Sequence, residues 1–195
     1  MNFLAHALLA GPDPGRRLGG MLGDFVKGRL DNAPAELPPA VVTGLVLHRR
    51  IDSYADAHHA FQRSRRRVSA ERRRVAGIMI DMFYDHFLAV HWSQFGDEPL
   101  EHFTANLYRL LAAHEQLFPP RFASMFPYMH AADWLSNYRS LDAIGIALDR
   151  MSVRRLTRPN TLVGAVAELR ENYAGFEEDF FAFLPDAQRY CAETI

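Results

Sequence analysis

Apolar residues recur at three- and four-residue intervals along nearly all of this 195-residue chain, and no alternating strand with a hairpin turn interrupts them. That periodicity restricts the chain to helices, and prolines and glycines mark where each one stops. Residues 2–10 form a short apolar run closed by the Gly11-Pro12-Asp13-Pro14-Gly15 turn cluster. A second segment, about 18–29, carries Leu18, Met21, Leu22, Phe25 and Val26 at helical spacing. Pro38-Pro39 opens a helix to about residue 56, because proline is tolerated in a first turn. Ser69 is a candidate cap, with Glu71 in the first turn, for a long helix from about Ala70 to Phe95 that Gly96 ends. Pro99 starts another with Phe103, Leu107, Leu110 and Leu111 on its buried face, and Pro119-Pro120 and Pro159 set further boundaries. A last segment, about 161–183, places Leu162, Val166, Leu169, Tyr173 and Phe176 on one face. With no repeat or low-complexity linker, the expectation is a single all-α domain over 1–195, of about seven to nine helices.

A chain of this length buries roughly 70% of the surface its unfolded form exposes, so its core needs no disulfide. The lone Cys191 cannot form an intrachain bridge, which excludes a cysteine-based metal site and suits a reducing compartment. A formal net charge of −1 argues against a polycation seeking nucleic acid. No stretch approaches the roughly 20 apolar residues that span a bilayer. The opening MNFLAHALLAG lacks a positive leader and carries His6, so it reads as a folded helix and the protein as cytoplasmic.

The chemistry lies in acids and histidines set among apolar residues. His6 sits in LAHAL, Asp24 in GGMLGDFVKG, His48 and Asp52 in LVLHRRIDSYAD, and Asp81, Asp85 and His86 in IMIDMFYDHFL. At about 100° per residue, positions four apart share a helix face, which pairs His48 with Asp52 and Asp81 with Asp85. Imidazole and carboxylate together suit manganese, iron or zinc. Ionised aspartates in greasy segments cost several kcal/mol each unless partnered, and a shared metal is one such partner. Each residue also has a structural alternative. His6 suits a hydrogen-bonded core position, Asp24 a cap or a pair with Lys27 or Arg29, and Asp81 a pair with an arginine. His58, His59, His102 and His114 read as solvated, while His91 and His130 read as packing groups.

From Arg63 to Arg74 the chain reads RSRRRVSAERRR, seven arginines opposed only by Glu71. This local positive field suits either a solvated helix end or a docking surface for an acidic partner, with Arg63, Arg65, Arg66 and Arg67 in contact. The absence of interleaved aromatics argues against single-strand stacking. Arg49 and Arg50, beside His48, are candidates to clamp a phosphate, and Lys27 and Arg29 are weaker ones.

NFLAHALLA, LGDFVKG, LHRRID, DMFYDHFLAVHW and RFASMFPYMHAADWLSNY together resemble the acyl carrier protein phosphodiesterase family. The resemblance covers most of the chain and is most specific in the first 95 residues. It implies an HD-like helical fold and a divalent cation, usually manganese, with magnesium, iron or zinc as alternatives. In HD-domain phosphohydrolases a His–Asp neighbour pair straddles the ion, whereas here the order is reversed, as Asp85-His86. The implied reaction cleaves 4′-phosphopantetheine from a serine of acyl carrier protein, an acidic partner suited to the arginine stretch. The resemblance carries over Asp24 as essential and His6, Asp24, His48, Asp85 and His86 as metal ligands. Asp52 and Asp81 would complete the shell, orient a ligand or activate water. The competing functions are a nucleotide phosphohydrolase using the same metal site and a non-catalytic helical module that binds an acidic protein.

Overall fold

The computed structural model describes residues 2–28, 37–154 and 159–194. Within them lie eleven α-helices and no strand. In chain order these are α1 (Phe3–Leu9), α2 (Pro14–Leu22), α3 (Pro39–Ala57), α4 (His59–Arg67), α5 (Ala76–Val90) and α6 (Leu100–Ala112). They continue as α7 (Pro120–Ala131), α8 (Trp134–Asn137), α9 (Leu141–Arg154), α10 (Val166–Glu171) and α11 (Tyr173–Thr194). The number exceeds the seven to nine expected because short pieces stand alone. α8 has only four residues, and the 161–183 segment divides at Asn172 into the six-residue α10 and the long α11.

The centre of the bundle is α5. Met79, Ile80, Met82, Phe83, Tyr84, Phe87 and Leu88 point in every direction from it and all are buried. A helix that is apolar all round must be surrounded, and α1, α4, α8, α9 and α11 enclose this one. It is shorter than the 70–95 helix the sequence suggested. Ser69 caps nothing: its backbone N–H and hydroxyl both donate to the Glu168 carboxylate of α10, at 3.0 and 2.6 Å. Arg72 donates to the Thr161 carbonyl at 2.9 Å and pairs with Glu168. These long-range partners take the groups a helical start would have used, and residues 73–75 form only a 3-10 turn.

The second segment also stops earlier than expected, at Leu22, and its far end at residue 29 lies outside the described residues. Its close approach to α3 is set by glycines. A Cβ on Gly19 would lie 2.1 Å from the Val41 carbonyl oxygen, and one on Gly44 would lie 2.2 Å from that of Arg16. The two backbones therefore touch directly, which brings the chain after α2 against the middle of α3.

Part of the arginine stretch is spent on the fold. Arg63 and Arg67, one turn apart on α4, grip opposite oxygens of the fully buried Asp179 of α11 through their Nε atoms, at 2.8 and 2.9 Å. Ser64 adds a third donor to Asp179 at 3.1 Å. His58, expected to be solvated, is buried. Its Nδ1 accepts from the Ala60 N–H at the start of α4, and its Nε2 lies 3.2 Å from Asp186.

Candidate metal centre

Two helices and the turn after a third converge on one small group of donors. His6 comes from α1, and His48 and Asp52 come from successive turns of α3. The two imidazoles stack with centroids 3.7 Å apart and planes 17° from parallel. Their Nε2 atoms address different oxygens of Asp52, His6 at 3.2 Å from Oδ1 and His48 at 3.3 Å from Oδ2. Asp24, in the turn after α2, places Oδ1 3.7 Å from the His48 Nε2. One donor atom from each of His6, His48 and Asp52 fits within a 4.8 Å span.

The local fold builds this geometry deliberately. His48 Nδ1 lies 2.8 Å from the Gly20 carbonyl, so it carries the proton and donates, which turns Nε2 toward the carboxylates. Gly23 makes room for the same ring, since a Cβ there would come within 2.2 Å of it. α1 is positioned from α5. Its first-turn N–H groups, those of Leu4 and Ala5, donate to the two oxygens of Asp85 at 2.8 and 3.1 Å. The N-cap residue Asn2 makes no side-chain cap bond, so a carboxylate from another helix satisfies these otherwise orphaned donors.

The electrostatics are those of a site tuned by mutual contact. Burial, reinforced by the neighbouring His48, pushes His6 down to about 3, so it is neutral. Burial also works against a charge on His48, but Asp24 and Asp52 outweigh it and lift its pKa to about 9. Burial pushes Asp52 up, but its close contacts with His48 and then His6 outweigh that and hold it below the usual carboxylate range. Asp81 is shifted upward, first by burial and then by the nearby charges of Asp52 and Asp24.

The donor set fits a divalent cation. His6 is buried, yet neither ring nitrogen has a hydrogen bond of good geometry despite the nearby Asp52. A neutral imidazole with an available Nε2 beside an ionised carboxylate is what a metal ligand requires. A cavity of about 360 Å³ opens beside the group. Asp24, Asp52, Asp56, Asp81 and Arg65 line it, with Phe61, Ile78, Met82 and Met151 among its apolar walls.

Most of the other residues singled out in the sequence lie elsewhere. Asp85 has both oxygens committed to α1, so it positions the helix bearing His6. His86 turns away from Asp85, with Nδ1 2.8 Å from the Tyr138 carbonyl and Nε2 3.0 Å from the Tyr173 hydroxyl. Arg49 donates to the carbonyls of Gly28 and Val26 and so fixes the loop that follows Asp24. Arg50 and Arg66 are exposed, Lys27 is exposed, and Arg29 lies outside the described residues. Arg65 reaches the cavity and pairs with Asp56 at 3.0 Å. Sequence reasoning missed Asp56 and the cavity's apolar wall. The i, i+4 spacing of Asp56 from Asp52 was the available signal for the first.

A model of the family described as acyl carrier protein phosphodiesterase matches residues 1–187. A protein named acyl carrier protein phosphodiesterase from Serratia proteamaculans is 40% identical over 188 residues, 95% of this chain and 94% of the relative. Proteins of the same name from Salmonella paratyphi A and Salmonella dublin are 38% identical over 186 residues, with the same coverage. No solved structure matches the chain significantly. The two family-like words at the N-terminus, around His6 and Asp24, and the LHRRID stretch are the ones that converge in the fold, and the chain belongs to the acyl carrier protein phosphodiesterase family.

Proposed function

We propose that this chain is a single-domain, HD-like, cytoplasmic metal-dependent phosphodiesterase that removes 4′-phosphopantetheine from the serine of acyl carrier protein. The observation that carries the reading is the buried, unbonded His6 stacked on His48 across Asp52 at the edge of an acid-lined cavity. His6, His48 and Asp52 would hold the cation, with manganese the preferred ion and Asp24 beside them. When bound, the cation would supply Lewis acidity toward a phosphoryl oxygen and acidify water.

The remaining work falls to the chain. Without countercharge, the aspartates around the cavity would repel a phosphodiester, and Arg65 supplies one cation at its wall. Asp24 accepts the proton of the attacking water. Asp81, whose burial favours its protonated form, gives a proton to the departing serine oxygen. Water attacks phosphorus, the P–O bond to serine breaks, and the products are the serine hydroxyl and free 4′-phosphopantetheine. Replacing Asp24 with Ala tests this assignment: turnover should vanish while the melting temperature and helical circular dichroism stay unchanged. Full activity in that variant removes Asp24 from the reaction.

A further inference from the structure

α3 brings two carboxylates to the cavity, one turn apart. Asp52 belongs to the donor group, and Asp56, four residues on along the same face, lines the cavity with it. The Asp56 side chain is 69% exposed against 42% for Asp52, so it stands on the solvent side of the pair. Its partner is Arg65 of α4, which also lines the cavity and donates through Nη1 to Asp56 Oδ1 at 3.0 Å. Among the described residues, Arg65 is the one basic side chain on that cavity wall, where it meets Asp24, Asp52, Asp56 and Asp81.

The corner between the two helices holds this pair in register. Only His58, itself buried, separates α3 from α4. Gln62 Nε2 then reaches back from α4 and donates to the Asp56 carbonyl at 3.1 Å. Both members of the pair face water in part, and an exposed ion pair of this kind holds weakly. A phosphoryl oxygen can therefore share Arg65 at little cost, but the Asp56 charge stays beside it. That charge matters because the two classes of phosphate ester differ in their own. A diester carries one negative charge near neutral pH, and a monoester carries close to two. An arginine alone rewards the second charge through its planar fork. A carboxylate paired with that arginine penalises it.

We infer that Asp56 is a charge filter: it occupies Arg65 at the cavity wall and disfavours the second negative charge of a phosphomonoester, so that the site takes diesters and releases the monoester it forms. This rests on the function proposed above and adds Asp56 to it as a specificity-determining residue. The phosphodiester in the carrier is a monoanion, and the released 4′-phosphopantetheine is a monoester. Hydrolysis therefore turns a tolerated ligand into a disfavoured one. For a carboxylate about one helical turn away, at a dielectric between protein surface and bulk water, each unit of ligand charge changes affinity by about fivefold.

The test is isothermal titration calorimetry of the manganese-loaded protein at pH 8 and low ionic strength with two probes, phenyl phosphate and methyl phenyl phosphate. They differ by one methyl group and one charge. The parent should bind methyl phenyl phosphate the more tightly. Asp56→Asn keeps the shape and removes the charge, so the ratio of the monoester Kd to the diester Kd should fall about fivefold or more. Asp56→Glu restores the charge and should hold the ratio within twofold of the parent. Arg65→Gln should weaken both probes. Because Asp56 is exposed, melting temperatures of its variants should match the parent. A ratio within twofold of the parent in Asp56→Asn, an equal shift in Asp56→Glu, or a parent that binds neither probe or prefers phenyl phosphate overturns the filter. A ratio that shifts as expected, in a parent that leaves holo acyl carrier protein intact, upholds the filter and removes the carrier as the substrate.

Discussion

Asp179 should be one of the most sensitive surface-remote positions in this protein. It lies on α11, is fully buried, and accepts from Arg63 Nε, Arg67 Nε and Ser64 Oγ of α4. Replacing it with Asn removes the charge, leaves a single acceptor, and puts an amide N–H₂ where a donor already points. Removing one partner of a buried ion pair costs about 3–5 kcal/mol. Here the arginine side chains are 38% and 34% exposed and can turn toward water. That reduces the expected loss to about 2–3 kcal/mol. For a chain of 150–250 residues each kcal/mol moves the midpoint by about 2–4 °C, so Asp179→Asn should melt about 4–12 °C below the parent. Arg63→Gln or Arg67→Gln leaves Asp179 with one arginine and Ser64, and each should cost less than Asp179→Asn. The assay is thermal unfolding by circular dichroism at fixed pH, with coincident fluorescence transitions as the two-state check. A midpoint within 1 °C of the parent for Asp179→Asn would refute the view that these arginines serve the fold.

Three further outcomes follow from the centre itself. Gly23→Ala places a methyl carbon 2.2 Å from the His48 ring, so it should displace that ring and lower manganese affinity at least tenfold, read by isothermal titration calorimetry. His6→Ala removes one of three donors, and metal analysis after dialysis should find it retaining far less manganese than the parent; equal retention would place the ion elsewhere. Asp85→Asn should be less stable than the parent, because an amide cannot accept from both Leu4 and Ala5. Burial outweighs those two donors and lifts Asp85 to about 7, above its unfolded value. The folded protein therefore binds that proton more tightly, and the parent loses this contribution as pH rises toward 7. The gap between parent and variant should narrow from pH 5 to pH 8, and a widening gap in paired melting curves would contradict the assignment.

The helical class was legible because period is a local property, and α3 was legible nearly to its ends because Pro38-Pro39 marks its start. The pairing of His48 with Asp52 follows from four-residue spacing alone. His6 could be named as a candidate, but its stacking on His48 depends on the glycine-tight contact of α2 with α3 and on Asp85 holding α1 from 80 residues away. The same distance hid the other outcomes. The adjacency of Asp85 and His86 suggested a shared ion, yet one binds α1 and the other binds Tyr138 and Tyr173. The arginine run read as free charge because its acid lies 116 and 112 residues beyond Arg63 and Arg67. Ser69 lost its capping role to Glu168, a competitor no local window contains.

The most direct measurement is the intact mass of purified holo acyl carrier protein after incubation with this protein and manganese, with and without chelator. With manganese the carrier should lose the 4′-phosphopantetheine mass, and with chelator it should lose none. An unchanged carrier mass in the presence of folded, manganese-loaded protein would contradict the proposed reaction.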